Sequence, residues 1–126
     1  VDHFKNINDD YGHSVGDEVL RSVAALLEYG NRRGDIAARW GGEEFLLLLP
    51  DTDEIHAYQH AERLRILIEQ AKIAIDENEE SGESNIQFTA SFGVCGTRNG
   101  KFNGTSLTFE SLEAMINKEK RALYEI

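Results

Sequence analysis

Cysteine, proline, methionine and tryptophan each occur once in the 126 residues of this chain. A lone Cys95 excludes an internal disulfide and a cysteine-rich zinc site, and it suits a reducing compartment. No apolar run approaches the roughly 20 residues that span a bilayer, and no signal peptide opens the chain. The expectation is a domain without membrane contact, placed in the cytoplasm either by itself or as the cytoplasmic part of a membrane-anchored protein. Cations are scarce as well: 13 Lys and Arg stand against 23 Asp and Glu, a formal charge of -10. That balance repels a phosphate backbone and argues against a nucleic-acid polymer as partner; a smaller anion would need local cations or a metal.

What remains is enough for one domain with a core, since 40% of the residues are hydrophobic. The chain opens on VDHF and closes on ALYEI inside an apolar helical pattern, which reads as a piece cut from a longer protein. Residues 3 to 10 suggest a short helical turn before the loop YGHSVGD. From Asp17 to near Gly30, Val19, Leu20, Val23, Ala24, Leu26 and Leu27 recur at helical spacing, with Asp17 and Glu18 in the first turn. IAARW alternates, whereas FLLLLP is continuously apolar and stops at the only proline, so two strands are expected, the second central and buried. Ala57, Ala61, Leu64, Ile68, Ala71 and Ile75 form one face of a long helix, capped by Thr52 or Asp53. DENEESGES reads as a solvated loop, residues 86 to 96 as a strand, and a last helix is expected from near Thr108 with Leu112, Met115, Ile116, Ala122 and Leu123 inward. This order of elements predicts an α/β or α+β sandwich with a sheet covered by helices.

Chemistry concentrates in two places. In RWGGEEF, Gly41 and Gly42 clear side chains from one side of a hairpin bend, and Glu43 and Glu44 bring hard oxygen donors to the same point. A magnesium nucleotide needs such a place, although Gly-Gly is also ordinary turn chemistry. In HFKNINDDYGHSVGDEVL, Asn8 and Asp17 flank a glycine-containing loop. A carboxylate there can accept from both the N1 hydrogen and the 2-amino group of guanine, which adenine cannot offer, with an amide beside it. Helix capping by Asp17 and turn formation by Asn8 are the structural alternatives. An EF-hand reading fails because Tyr11 stands where the pattern requires glycine and no glutamate closes the loop.

Taken in order, VDHFKNINDDYGHSVGDEVL, RWGGEEF, FTASFGV and ALY resemble the GGDEF domain of diguanylate cyclases in its GGEEF form, over nearly the whole chain. The resemblance implies a palm-like α/β fold, shared with nucleotidyl cyclases and polymerases, in which two GTP molecules condense into cyclic di-GMP and two pyrophosphates across a homodimer. It implies magnesium, or manganese in its place, held by the Val1 carbonyl, Glu43 and Glu44, with Glu43 as the general base. Gly41 and Gly42 would lie against ribose and α-phosphate, the backbone of His3 and Phe4 would cradle the outer phosphates with Lys5 adding charge, Asn8 and Asp17 would read guanine, and Leu20 would pack near the base. Arg32 and Asp35 form an RxxD pattern where the family carries its product-inhibition site, and arginine suits phosphate and guanine edges. A fused sensory or receiver domain outside this chain is implied as well.

The resemblance also sets out what this stretch lacks. The family's first metal-binding aspartate would precede Val1, and its terminal lysine and arginine would follow Ile126, so residues 1–126 read as a single catalytic domain without its N-terminal strand start and C-terminal end. KEKRALY replaces the usual RAD before ALY, with Glu119 where a small residue is expected. Elsewhere the structural readings prevail: His56 and His60 lack a third metal ligand nearby, Cys95 reads as a small core residue, and Trp40 as packing beside the hairpin. The function of a different class is a catalytically inactive domain acting as a GTP or cyclic di-GMP receptor. The intact GGEEF with Asn8 and Asp17 favours catalysis.

Overall fold

The computed structural model describes residues 1–74 and 85–96. The expected last helix, the loop DENEESGES and Ile75 lie outside these residues. The described elements are the helices α1 (Phe4–Tyr11), α2 (His13–Gly30) and α3 (Glu54–Gln70), and the strands β1 (Ile36–Gly41), β2 (Glu44–Leu48), β3 (Ile73–Ala74) and β4 (Asn85–Ile86).

Helix α2 is the hub, in contact with α1, α3, β1 and β3. Its buried stripe, Val19, Leu20, Val23 and Leu27, is the one its spacing predicts. The helix nevertheless begins at His13, one turn before the expected start at Asp17. Two glycines disguised that turn. Gly12, at φ +91, does break the chain between α1 and α2, but Gly16 is helical and buried. A Cβ on Gly16 would run into the Asn8 side-chain oxygen, so this glycine permits a close approach of α1 rather than a turn. Asp17 and Glu18 therefore stand outside the first turn, which holds no acid.

Helix α3 starts as expected, with Asp53 as its N-cap: the Asp53 carboxylate accepts the His56 backbone N–H at 2.8 Å. It stops at Gln70, short of the predicted Ile75, because Ile73 and Ala74 leave the helical path to pair antiparallel with Ile86 and Asn85. Ala57, Ala61, Leu64 and Ile68 do face the core. The expected strand over residues 86 to 96 is hydrogen-bonded as β4 only at its start, yet its side chains keep the period of two: Ile86, Phe88 and Ala90 are buried between exposed neighbours. Cys95 beyond them is half-buried.

Strands β1 and β2 form the predicted hairpin, with Ile36 opposite Leu48 and Gly41 opposite Glu44, and an irregularity that leaves Trp40 unpaired. Trp40 is 39% exposed. The FLLL segment was expected to be buried; every residue of β2 is instead half-buried, and among the described residues β2 pairs with β1 alone. The core closes where Val19, Val23 and Leu27 of α2 meet Leu64 and Ile68 of α3, with Ile7, Ile73, Ile86, Phe88 and Ala90 around them.

Candidate active site

The register that pairs Gly41 with Glu44 leaves Gly42 and Glu43 as the two bend residues of the hairpin. Gly42 has φ +52, a conformation short hairpins assign to glycine at the first bend position. Gly41 has no such requirement, and a Cβ there would meet nothing within 4 Å. The fold thus gives no packing reason for glycine at 41, while open space beside its backbone leaves room for a ligand. Arg39 steadies the bend by donating from Nε to the Gly42 carbonyl at 2.8 Å. Glu43 is exposed at the tip, and Glu44 is half-buried at the start of β2.

The N-terminal segment runs to this tip. The Val1 nitrogen lies 3.4 Å from the Glu43 carbonyl oxygen, so two of the three residues expected to supply metal ligands are neighbours through their backbones. Asp2 turns the other way: its N–H donates to the Thr89 carbonyl at 2.9 Å, and its carboxylate accepts the Thr89 hydroxyl at 2.8 Å and the Ser91 hydroxyl at 2.7 Å. Burial pushes the Asp2 carboxyl pKa up, but the Ser91 and Thr89 hydrogen bonds outweigh it and leave the group below its ordinary value. His3 follows in the left-handed region at φ 54 and starts α1 without a side-chain cap. Phe4 is half-buried against the core, and Lys5 is exposed.

Between α2 and the hairpin lies a groove of about 380 Å³ whose walls include Asp17, Leu20, Arg21, Arg39 and Phe45. Asp17 and Leu20, the expected guanine contacts, thus face one cavity. The capping alternative for Asp17 falls away, since the residue sits one turn inside α2 and is exposed. Asn8 is not in the groove wall; its side chain packs at Gly16, on the α1 side. Arg21, Arg39 and Phe45 are not site candidates from the sequence, where only the position of Arg39 in the strand leading to the bend offers a hint.

Arg32 and Asp35 form a closed turn. The Asp35 N–H donates to the Arg32 carbonyl at 3.0 Å, the Arg32 N–H donates to the Asp35 carboxylate at 2.8 Å, and Gly34 between them has φ +95. The Arg32 guanidinium also reaches the Thr52 hydroxyl at 3.3 Å. The turn precedes β1 and the bend follows it, so the two lie roughly 20 Å apart along an extended strand. Against the turn sits His60, 1% exposed, with its Nε2 buried and without a hydrogen-bond partner among the described residues. Burial pushes its pKa down; Asp35 opposes this, and Arg63 and Arg32 add to it. His56 is exposed and bonded to Asp53, so the two histidines share no site.

No group of three or more His, Cys, Asp and Glu side chains gathers as a metal cage among the described residues. The donors at the bend, a backbone carbonyl region beside one or two carboxylates, still fit magnesium. That ion ordinarily takes one or two carboxylates and completes its shell with water and substrate phosphates. The acidic, exposed tip and the open space beside Gly41 suit such a shared shell.

Comparison with known proteins gives a consistent picture. Residues 1–123 match the family described as "Diguanylate cyclase, GGDEF domain". Diguanylate cyclase A of Treponema denticola is 38% identical over 125 residues, covering 99% of this chain and 30% of that protein. Among solved structures, diguanylate cyclase SiaD of Pseudomonas aeruginosa, in complex with its activator SiaC, superimposes with a TM-score of 0.72 at 37% identity, covering 97% of this chain and 44% of that one. The GGDEF domain of DgcB from Caulobacter crescentus, in complex with c-di-GMP, gives 0.75 at 27% identity, covering 98% of this chain and 66% of that one. The α/β architecture agrees with these neighbours. The chain spans a third or less of the length of the curated relatives it matches.

Proposed function

The chain belongs to the GGDEF family of diguanylate cyclases, and on that footing we propose that residues 1–126 form one catalytic domain of a longer protein that condenses two GTP into cyclic di-GMP and two pyrophosphates. The observation that carries the reading is the bend itself: Glu43 exposed at its tip, open space beside Gly41, and the Val1 backbone 3.4 Å from the Glu43 carbonyl. Family membership supports a divalent metal, which when bound supplies the positive charge that an acidic surface lacks at the phosphates.

The chain's own residues have separate tasks. Asp17 and Leu20 take the guanine in the groove, and Asn8 approaches it from the α1 side. Gly41 and Gly42 let ribose and α-phosphate lie on the backbone. The start of α1, at His3 and Phe4, offers N–H groups to the outer phosphates, with Lys5 nearby. The Glu43 carboxylate accepts the proton of a 3′-hydroxyl as its oxygen bonds to the α-phosphorus of the other GTP; the bond to the β-phosphate breaks and pyrophosphate leaves. Repeating this from the second nucleotide closes the ring. Each nucleotide must meet its counterpart across a twofold axis, so two domains face each other as a homodimer. Arg32 and Asp35 bind product remote from the bend and restrain the enzyme. GTP as substrate supports a cytoplasmic location, and no described helix is long and apolar enough to cross a membrane.

The test is product analysis of the native full chain with GTP and magnesium, beside Glu43→Gln. Cyclic di-GMP from the wild type alone is the expected result. GTP binding by a dimeric chain without product would overturn catalysis and leave a nucleotide receptor.

A further inference from the structure

We propose that Asp2 is a positioning residue for the magnesium–triphosphate end of the substrate, an inference that rests on the nucleotide-binding reading above. Asp2 lies between the two pieces of backbone assigned to that end. On one side is Val1, 3.4 Å from the Glu43 carbonyl. On the other is His3, whose φ of 54 opens α1 with no side-chain cap. A non-glycine residue held in this region is strained and persists only where its surroundings over-determine it.

The surroundings here are the contacts of Asp2. Its backbone N–H and both carboxylate oxygens engage Thr89 and Ser91, at 2.9, 2.8 and 2.7 Å. All three bonds go to one segment, which is anchored in the core through Phe88 and Ala90. Each oxygen accepts from one hydroxyl of this segment. Asp2 therefore contributes by fixing the chain direction at Val1 and His3. With it in place, the Val1 backbone meets the bend and the first N–H groups of α1 are aimed before any nucleotide arrives. Without it, binding must first order this segment.

The consequence is specific to one end of the nucleotide. Asp2→Ala in the native full chain is expected to weaken magnesium–GTP binding about tenfold or more, the usual effect of losing a group that orients ligands. The half-saturating magnesium concentration should rise with it. Binding of GMP, which keeps the guanine contacts in the groove, should change little. Thr89→Val with Ser91→Ala leaves the carboxylate but removes its donors, and should reproduce the loss; adding Asp2→Ala to that pair should then cost little more. Asp2→Asn, which retains an acceptor, should recover most of the affinity.

Calorimetry with a non-hydrolysable GTP analogue reads this without turnover, which separates it from the cyclase question. Wild-type binding without product would sink catalysis and still test Asp2. Equal loss of GTP and GMP binding in Asp2→Ala, in step with a lowered melting temperature, would overturn the inference, as would unchanged GTP affinity. Wild type that binds no GTP overturns both.

Discussion

The Val1 nitrogen donates toward the Glu43 carbonyl at 3.4 Å, a contact between residues 42 positions apart in sequence. The contact is made by backbone atoms and does not use the Glu43 side chain, which is exposed. A carboxylate that the fold does not use is a clean target. Glu43→Gln should lower cyclic di-GMP formation by roughly 10²-fold or more, the range for loss of a general base. Its folding stability should stay within about 0.5 kcal/mol of wild type, as for surface changes away from structural features. Retained turnover would remove Glu43 from the chemistry.

The two bend glycines should respond differently to the same change. At Gly42 an alanine would have to adopt φ +52, and a loss of about 1 kcal/mol or more is expected in chemical denaturation. At Gly41 a Cβ meets nothing within 4 Å, so Gly41→Ala should fold as well as wild type. If the empty space beside it is where ribose and α-phosphate lie, the same variant should lose at least tenfold in kcat/KM, a loss of about 1.4 kcal/mol. A stable Gly41→Ala with full activity would mean that the space is not used.

Legibility in the sequence followed the kind of signal. The α2 stripe, the Asp53 cap and the hairpin were readable because spacing, a capping side chain and glycine each act locally. The first turn of α2 was misread because Gly16 looks like a loop residue until Asn8 is seen packed against it. The end of α3 was misread because Ala71 and Ile75 prolong the helical period, while the pairing of Ile73 with Ile86 that ends it is a long-range choice. The metal and guanine residues are suggested by their chemistry beside glycines and take specific roles only from family resemblance, which also gives the inhibitory pair; the walls of the groove and the bonds of Asp2 are contacts between distant segments.

Gly16→Ala tests that close approach. Its Cβ would collide with the Asn8 side chain and press on Phe4, and overpacking of this kind costs about 1–3 kcal/mol. A drop of several degrees in melting temperature is expected. If Asn8 has the guanine role proposed for it, GTP affinity should fall as well, because its side chain would be displaced from Gly16. A neutral Gly16→Ala would mean that α1 can shift at no cost.

Stability should fall on mild acidification because of His60. Burial holds its folded pKa below the ordinary 6.5. As pH drops through 6.5, the unfolded chain takes up a proton that the folded chain refuses, so folding weakens until the folded pKa is passed. The groups facing the ring are Asp35, Arg63 and Arg32, and the two arginines oppose protonation. Carboxylates such as Asp2 and Glu62, with lowered pKa values, add their acid sensitivity only at lower pH. Urea midpoints for wild type should decline between about pH 7 and 5.5, and His60→Leu should flatten that slope. At pH 7, replacing a buried ring whose Nε2 has no partner among the described residues, and whose Nδ1 lies 3.3 Å from the Arg63 guanidinium, by an apolar side chain should be close to neutral. An unchanged slope would place the acid sensitivity elsewhere.

The proposed product inhibition is best probed through Arg32 rather than Asp35. The turn that carries them is closed by the Arg32 backbone, which donates to the Asp35 carboxylate at 2.8 Å and accepts from the Asp35 N–H at 3.0 Å. Removing the Arg32 side chain leaves both bonds in place. It forfeits an ion pair at 3.8 Å and the Thr52 contact, on a side chain 58% exposed, worth at most about 1 kcal/mol. The Asp35 side chain is only 5% exposed and caps the turn, so Asp35→Ala would confuse loss of a ligand contact with loss of the turn. Arg32→Ala should therefore fold normally and raise the cyclic di-GMP concentration for half-maximal inhibition by tenfold or more, about 1.4 kcal/mol of lost binding. Inhibition that persists unchanged in this variant would assign Arg32 and Asp35 to a structural turn and nothing more.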